Sequence, residues 1–160
     1  MKIAQILPVQ QKTALLAGIG ATGCITALSF LSSHSEALWL MAPFGATMVI
    51  LFGLPASPLA QPRNVIAGHL ITAALGLIVA HFFGVHEWTL GLAVGISIVA
   101  MMLTNTIHPP AGANPLLIML AGESWHFLIT PVVSGAILTV GFGYVYHRFV
   151  SGQQYPKQWL

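Results

Sequence analysis

Four stretches of the chain, 13–32, 64–85, 89–107 and 127–147, carry no Asp, Glu, Lys or Arg. At 1.5 Å per residue each predicts a helix about 30 Å long, the thickness of a bilayer's hydrocarbon core. Two further apolar stretches, 39–54 and 111–122, are shorter and broken by Pro and Gly. Pro43 suits the first turn of a helix, so the first of them predicts a helix from there to Leu54, about 17 Å. Pro109, Pro110 and Pro115 confine the second to its last eight to twelve residues, about half a bilayer. Each reads as an extended segment feeding a half-helix.

Composition turns these apolar runs into a membrane domain. Of 160 residues 56% are hydrophobic and 5% charged, where a soluble domain carries roughly 25% charged. High hydrophobicity also excludes a disordered chain. The net charge of +2 is too thin for a nucleic-acid footprint. The lone Cys24 sits in an apolar run and reads as a small packing residue. The expected fold is an all-α membrane protein of four full spanning helices and two half-helical segments. Residues 1–12 form a cytoplasmic amino-terminal segment, 13–150 the transmembrane domain and 151–160 a cytoplasmic tail. No cleavable leader is legible at the amino end, and the chain reads as a complete bacterial inner-membrane protein.

Charge placement decides whether the short segments cross. If both do, Lys2, Lys12, Arg63, Arg148 and Lys157 share one side, and Glu36, Glu87 and Glu123 the other. If both turn back, Arg63 leaves the basic side and Glu87 joins it. The positive-inside rule therefore favours six crossings with both termini cytoplasmic, on the vote of Arg63.

Sliding the chain on itself by 67 residues superposes Pro43, Gly45 and Ala46 on Pro110, Gly112 and Ala113. It also superposes Ser57 on Ser124, and Val65, Gly68, Thr72 and Gly76 on Val132, Gly135, Thr139 and Gly143. Pro-x-Gly-Ala thus recurs at each half-helix start, and Gly-x-x-x-Thr-x-x-x-Gly in each following span. Two three-element units, about 13–85 and 89–150, are implied. With three crossings each they would run in opposite senses, an inverted-topology repeat as in many transporters. Their first elements do not align at this offset. Small residues four apart let helices approach closely in lipid. Gly91 and Gly95 form a further such seam, and spacing leaves open whether each seam meets this chain or a second copy.

The segment 104–115 is polar and irregular, which at membrane depth requires burial in protein or a water-filled cavity. A helix N-terminus follows it, with unpaired N–H groups and a partial positive charge. Together with the matching start at Pro43, Phe44, Gly45, Ala46 and Thr47, the groups at Gly112, Ala113 and Asn114 predict a backbone cradle for a small anion near the midplane. Thr104, Asn105 and His108 are expected to line the approach. His69 lies inside its span, where an ionisable group is a functional candidate by default. His34, His86, His126 and His147 read as interfacial, with Trp39, Trp88 and Trp125 in an aromatic belt. No paired-carboxylate, zinc or phosphate-loop pattern supports an enzyme, and no cofactor or metal is implied.

The string His108-Pro109-Pro110-Ala111-Gly112-Ala113 resembles the signature of the HPP family of integral membrane proteins. The stretches 42–46 and 58–64 and the pair Gly68-His69 are similar to that family as well. The resemblance implies a compact helical membrane domain, usually described with four spanning helices rather than six, and a transport role. Family members in plastids and cyanobacteria are associated with nitrite, and some append a CBS domain that these residues lack. The reading is a transporter or channel for a small inorganic anion, with nitrite implied by the resemblance. The site comprises Pro43 to Thr47, His69, Asn105, His108 to Pro110 and Gly112 to Asn114. A homodimer or homotrimer in the bilayer is expected. The competing reading is a non-transporting sensor or a structural subunit of a membrane complex.

Overall fold

The computed structural model describes residues 9–35 and 39–159. Lys2 and Glu36, used in the charge argument, lie outside the described residues. Among these residues the chain forms six α-helices. They are α1 (Val9–His34), α2 (Ala42–Gly53), α3 (Pro62–Phe83), α4 (Glu87–Leu103), α5 (Asn114–Ala121) and α6 (Ser134–Tyr146). Wider turns extend α6 at both ends into one stretch, Leu128–Ser151. Its start is kinked at Thr130 (φ −134°, ψ 118°), because the residue before a proline, here Pro131, is driven out of the helical region.

Among the described residues three helical stretches, rather than the four expected, are long and apolar enough to cross a membrane: Val9–His34, Pro62–Phe83 and Leu128–Ser151. The fourth, expected over 89–107, stops at Leu103 after 17 residues, about 25 Å. Its end is a Schellman cap. Asn105 takes a left-handed conformation (φ 54°), and the N–H groups of Thr106 and Asn105 bond back to the carbonyls of Met101 (2.9 Å) and Met102 (3.2 Å). Asparagine tolerates this conformation better than other side-chain-bearing residues. Helix α1 begins at Val9, the first described residue. The two half-helices form as expected: α2 spans 12 residues from a proline start, and α5 spans 8 behind a tight turn over Pro109–Ala113.

Helix α3 is central and packs on α4, α5 and α6. The main apolar core joins α1, α2, α3 and α6 through Leu28, Phe44, Leu51, Phe52, Val65, Val132 and Ala136. The glycine seams of α3 and α6 face this chain's own helices. A Cβ on Gly68 would lie 2.9 Å from His108 Cβ, and one on Gly76 2.8 Å from Pro115 Cα. On α6, Gly135 packs against Phe44, and a Cβ on Gly143 would come 3.0 Å from Leu51. Helix α3 therefore seats α5, and α6 packs against α2. Gly91 and Gly95 face outward, with nothing within 4 Å of an added Cβ.

Hydrogen bonds gather the connections at two ends of the bundle. At one end Tyr155 Oη donates to Ala60 O (3.0 Å), the Lys157 N–H to Gln61 Oε1 (2.8 Å), Arg63 Nη2 to Thr104 O (2.8 Å) and Asn64 Nδ2 to Ile107 O (2.9 Å). Tyr146 Oη reaches Leu16 O (2.7 Å) on that half of α1. At the other end His81 and Val85 meet Glu123 and Trp125 around a shared groove. His34, His86 and His126 are exposed, as the sequence suggests. His147 is buried rather than exposed, at 1%, held by Leu51 O (2.9 Å) and Ser151 Oγ (2.7 Å).

Candidate functional site

The buried polar side chains at the centre come from three places in the sequence. Thr47 is one turn into α2, His69 lies in α3, and His108 and Asn114 bracket the Pro-Pro turn. All four are at most 1% exposed. In α2 the proline start leaves Thr47 one turn on, and Thr47 Oγ1 lies 3.2 Å from the Pro43 carbonyl oxygen. The turn over Pro109–Ala113 sits on α3 at Gly68, whose missing side chain admits His108 and the Thr106 carbonyl.

These groups form one connected chain of hydrogen bonds. His108 Nδ1 faces the Leu59 carbonyl oxygen at 2.8 Å, so it carries the proton. In a neutral ring Nε2 is then an acceptor, and Thr47 Oγ1 lies 2.9 Å from it. The one Thr47 proton goes to His108, and its oxygen accepts from His69 Nε2 at 3.1 Å. His69 Nδ1 then accepts from Asn114 Nδ2 at 3.0 Å. The same amide nitrogen also reaches His69 O (3.0 Å) and Thr72 Oγ1 (2.9 Å). The hydroxyl of Thr72 donates to Gly68 O at 2.9 Å. With both rings neutral, every donor points the same way from Asn114 to Leu59. The two imidazoles meet edge to face, centroids 5.0 Å apart, and Phe44 covers His69 at 5.2 Å.

The candidate residues therefore divide. Thr47, His69, His108 and Asn114 are brought together, with Pro43, Phe44 and Pro110 buried around them. Gly45, Ala46, Pro109 and Ala113 are exposed, and Gly112 is half-buried. An added Cβ on Gly45 or Gly112 would meet nothing within 4 Å. The space between the two half-helix starts is thus taken by side chains bonded directly to one another. His108 is inside this cluster, whereas Thr104 and Asn105 are exposed at the end of α4. Thr72 and the Leu59 carbonyl were not among the sequence candidates. Thr72 was legible in principle, since it follows His69 by three residues and shares its helix face. The Leu59 carbonyl has no signature, because any residue supplies one.

An all-helical membrane domain with a sealed histidine–threonine–asparagine cluster at its centre is the class of protein that fold and site define. The family described as "HPP, transmembrane region" matches residues 7–156, so the chain belongs to the HPP family. A transmembrane protein of Dictyostelium discoideum is 37% identical to it over 132 residues, covering 75% of this chain and 45% of that protein. A second from the same organism is 36% identical over 134 residues, covering 79% and 43%. The chain spans less than half the length of these curated relatives. No solved structure matches it.

Proposed function

We propose that the chain is a transporter or channel for a small inorganic anion, with nitrite the first substrate to test. The observation that carries this reading is the Thr47–His69–His108–Asn114 cluster. Polar and ionisable groups at the centre of a membrane protein are costly and mark substrate or proton pathways, and this one lies where two half-helices approach, as transporter sites do. The seating of each half-helix on the other unit's long helix supports two inverted repeats. The gathering of 55–64, 104–107 and the tail at one end supports six passages of the chain, with both termini in the cytoplasm. Because the cluster is closed by direct hydrogen bonds, the anion moves only when Thr47 or His108 releases its partner, so the pathway is gated. Gly91 and Gly95, unpacked within the chain, supply the contact of a homodimer or homotrimer.

Uptake of nitrite into proteoliposomes, measured at two pH values against nitrate and formate, tests this. Saturable uptake above empty vesicles, abolished by His108→Ala and retained in Thr47→Ser, is expected. No uptake of any of the three anions would sink the reading. The closure of the cluster favours a second reading, a structural clamp in a non-transporting sensor or membrane-complex subunit. In that case His108→Ala lowers stability and no anion moves.

A further inference from the structure

Outside the sealed cluster, where α3 begins and α4 ends, lies a cleft of about 310 Å³ lined by Arg63, Asn64, Asn105 and Gln158, with Leu59 in its wall. At roughly 30 Å³ per water it has room for a small, partly hydrated ion. Among the described residues no carboxylate lines it, and Glu123 lies at the far end of the bundle. Its polar groups are suited to an anion. Arg63 gives Nη2 to the Thr104 carbonyl (2.8 Å), and a guanidinium has five N–H donors, so others remain. Asn64 gives one amide proton to Ile107 O and keeps a second. Asn105 is held in its left-handed backbone conformation by the cap of α4, and its side chain lines the cleft. Gln158 is fixed by its backbone N–H, which donates to Gln61 Oε1 at 3.2 Å. Behind the wall, the Leu59 carbonyl is the acceptor of His108 Nδ1 (2.8 Å).

We propose that this cleft binds a small oxyanion through Arg63, Asn64, Asn105 and Gln158, one residue away from the end of the buried histidine chain. As the capture site for transport it rests on the function proposed above; as a binding site it stands alone. The sequence places Asn105 on an approach and allows Arg63 a part in drawing anions to the cytoplasmic mouth, but Asn64 and Gln158 carry no signal that would add them.

The test is the thermal midpoint of the purified full chain in detergent, titrated with sodium nitrite, nitrate and formate at ionic strength fixed with gluconate. Phosphatidylglycerol is added in a parallel arm. Asn105→Gly and Asn105→Asp both accept the left-handed turn, and their midpoints without anion check that the fold is kept. The wild type is expected to show a saturable rise with at least one of the three anions. The half-saturating concentration then increases several-fold in Asn105→Gly and about tenfold or more in Asn105→Asp, where a carboxylate faces the ligand. Equal half-saturation in wild type and Asn105→Asp, no rise with any of the three, or a rise with the lipid alone overturns the site. Uptake separates this from the transport reading. Binding that responds to Asn105 without uptake overturns transport and leaves the site, and uptake with binding indifferent to Asn105 does the reverse.

Discussion

Thr47 is the residue on which the centre turns, because its hydroxyl satisfies a ring nitrogen of both His108 and His69, at 2.9 and 3.1 Å. Thr47→Val keeps the shape and removes that hydroxyl, leaving two buried ring nitrogens unpaired. A loss of about 1–3 kcal/mol is expected, read as a lower thermal midpoint in detergent, with Thr47→Ser close to wild type. Equal midpoints for Val and Ser would show that the hydroxyl does not hold the cluster. The sequence marks Thr47, His69, His108 and Asn114 by their places in or beside Pro/Gly motifs. It also marks Gly45, Ala46 and Ala113 by the same motifs, and these face outward. A motif places backbone, and which of its side chains turn inward depends on the helix beside it.

Among the elements, the half-helices were legible because proline sets a start that no partner can move. The end of α4 was not, since a Thr-Asn-Thr run is compatible with a helix until Asn105 closes the cap. Small-residue seams likewise look alike in sequence and differ in what they meet. A Cβ on Gly76 would come within 2.8 Å of the Pro115 backbone, which cannot yield as a side-chain tip can. Gly76→Ala should push α5 from α3 and cost about 1–3 kcal/mol. Gly141→Ala, with nothing within 4 Å, should not lower the midpoint. The two alanines compared by thermal unfolding check this; matching effects would mean that α3 and α5 are not so closely seated.

For the whole molecule, the bonds joining 55–64, 104–107 and the tail put these connections at one end and residues 122–125 at the other. In a Cys24→Ala background, Ala56→Cys and Gln154→Cys should react with an impermeant maleimide from the same side of the membrane, and Ser124→Cys from the opposite side. Labelling of all three from one side would contradict six passages. The tail itself is strapped down by Tyr155, 4% exposed, whose hydroxyl donates to Ala60 O. Burial pushes this phenol above its ordinary value. A raised value means that the contribution of this docking is complete below about pH 10, where a free tyrosine ionises, and declines as pH rises further. Thermal midpoints of wild type and Tyr155→Phe should therefore converge in strongly alkaline solution. A constant difference from pH 8 to pH 11 would count against the strap.

The sequence by itself determined that this is an apolar helical domain with two proline-started half-helices. Those properties follow from local rules: too few charges for water, too few helical residues to span a bilayer as helix alone, and a ring that fixes φ. Tertiary structure decided what the motifs surround. His69 and His108 are far apart in the chain, and only the absence of a side chain at Gly68 lets the Pro-Pro turn settle onto α3 so that Thr47 can bridge them. Spacing along one helix can show that two groups share a face. It cannot show which carbonyl of a distant loop will accept the last proton.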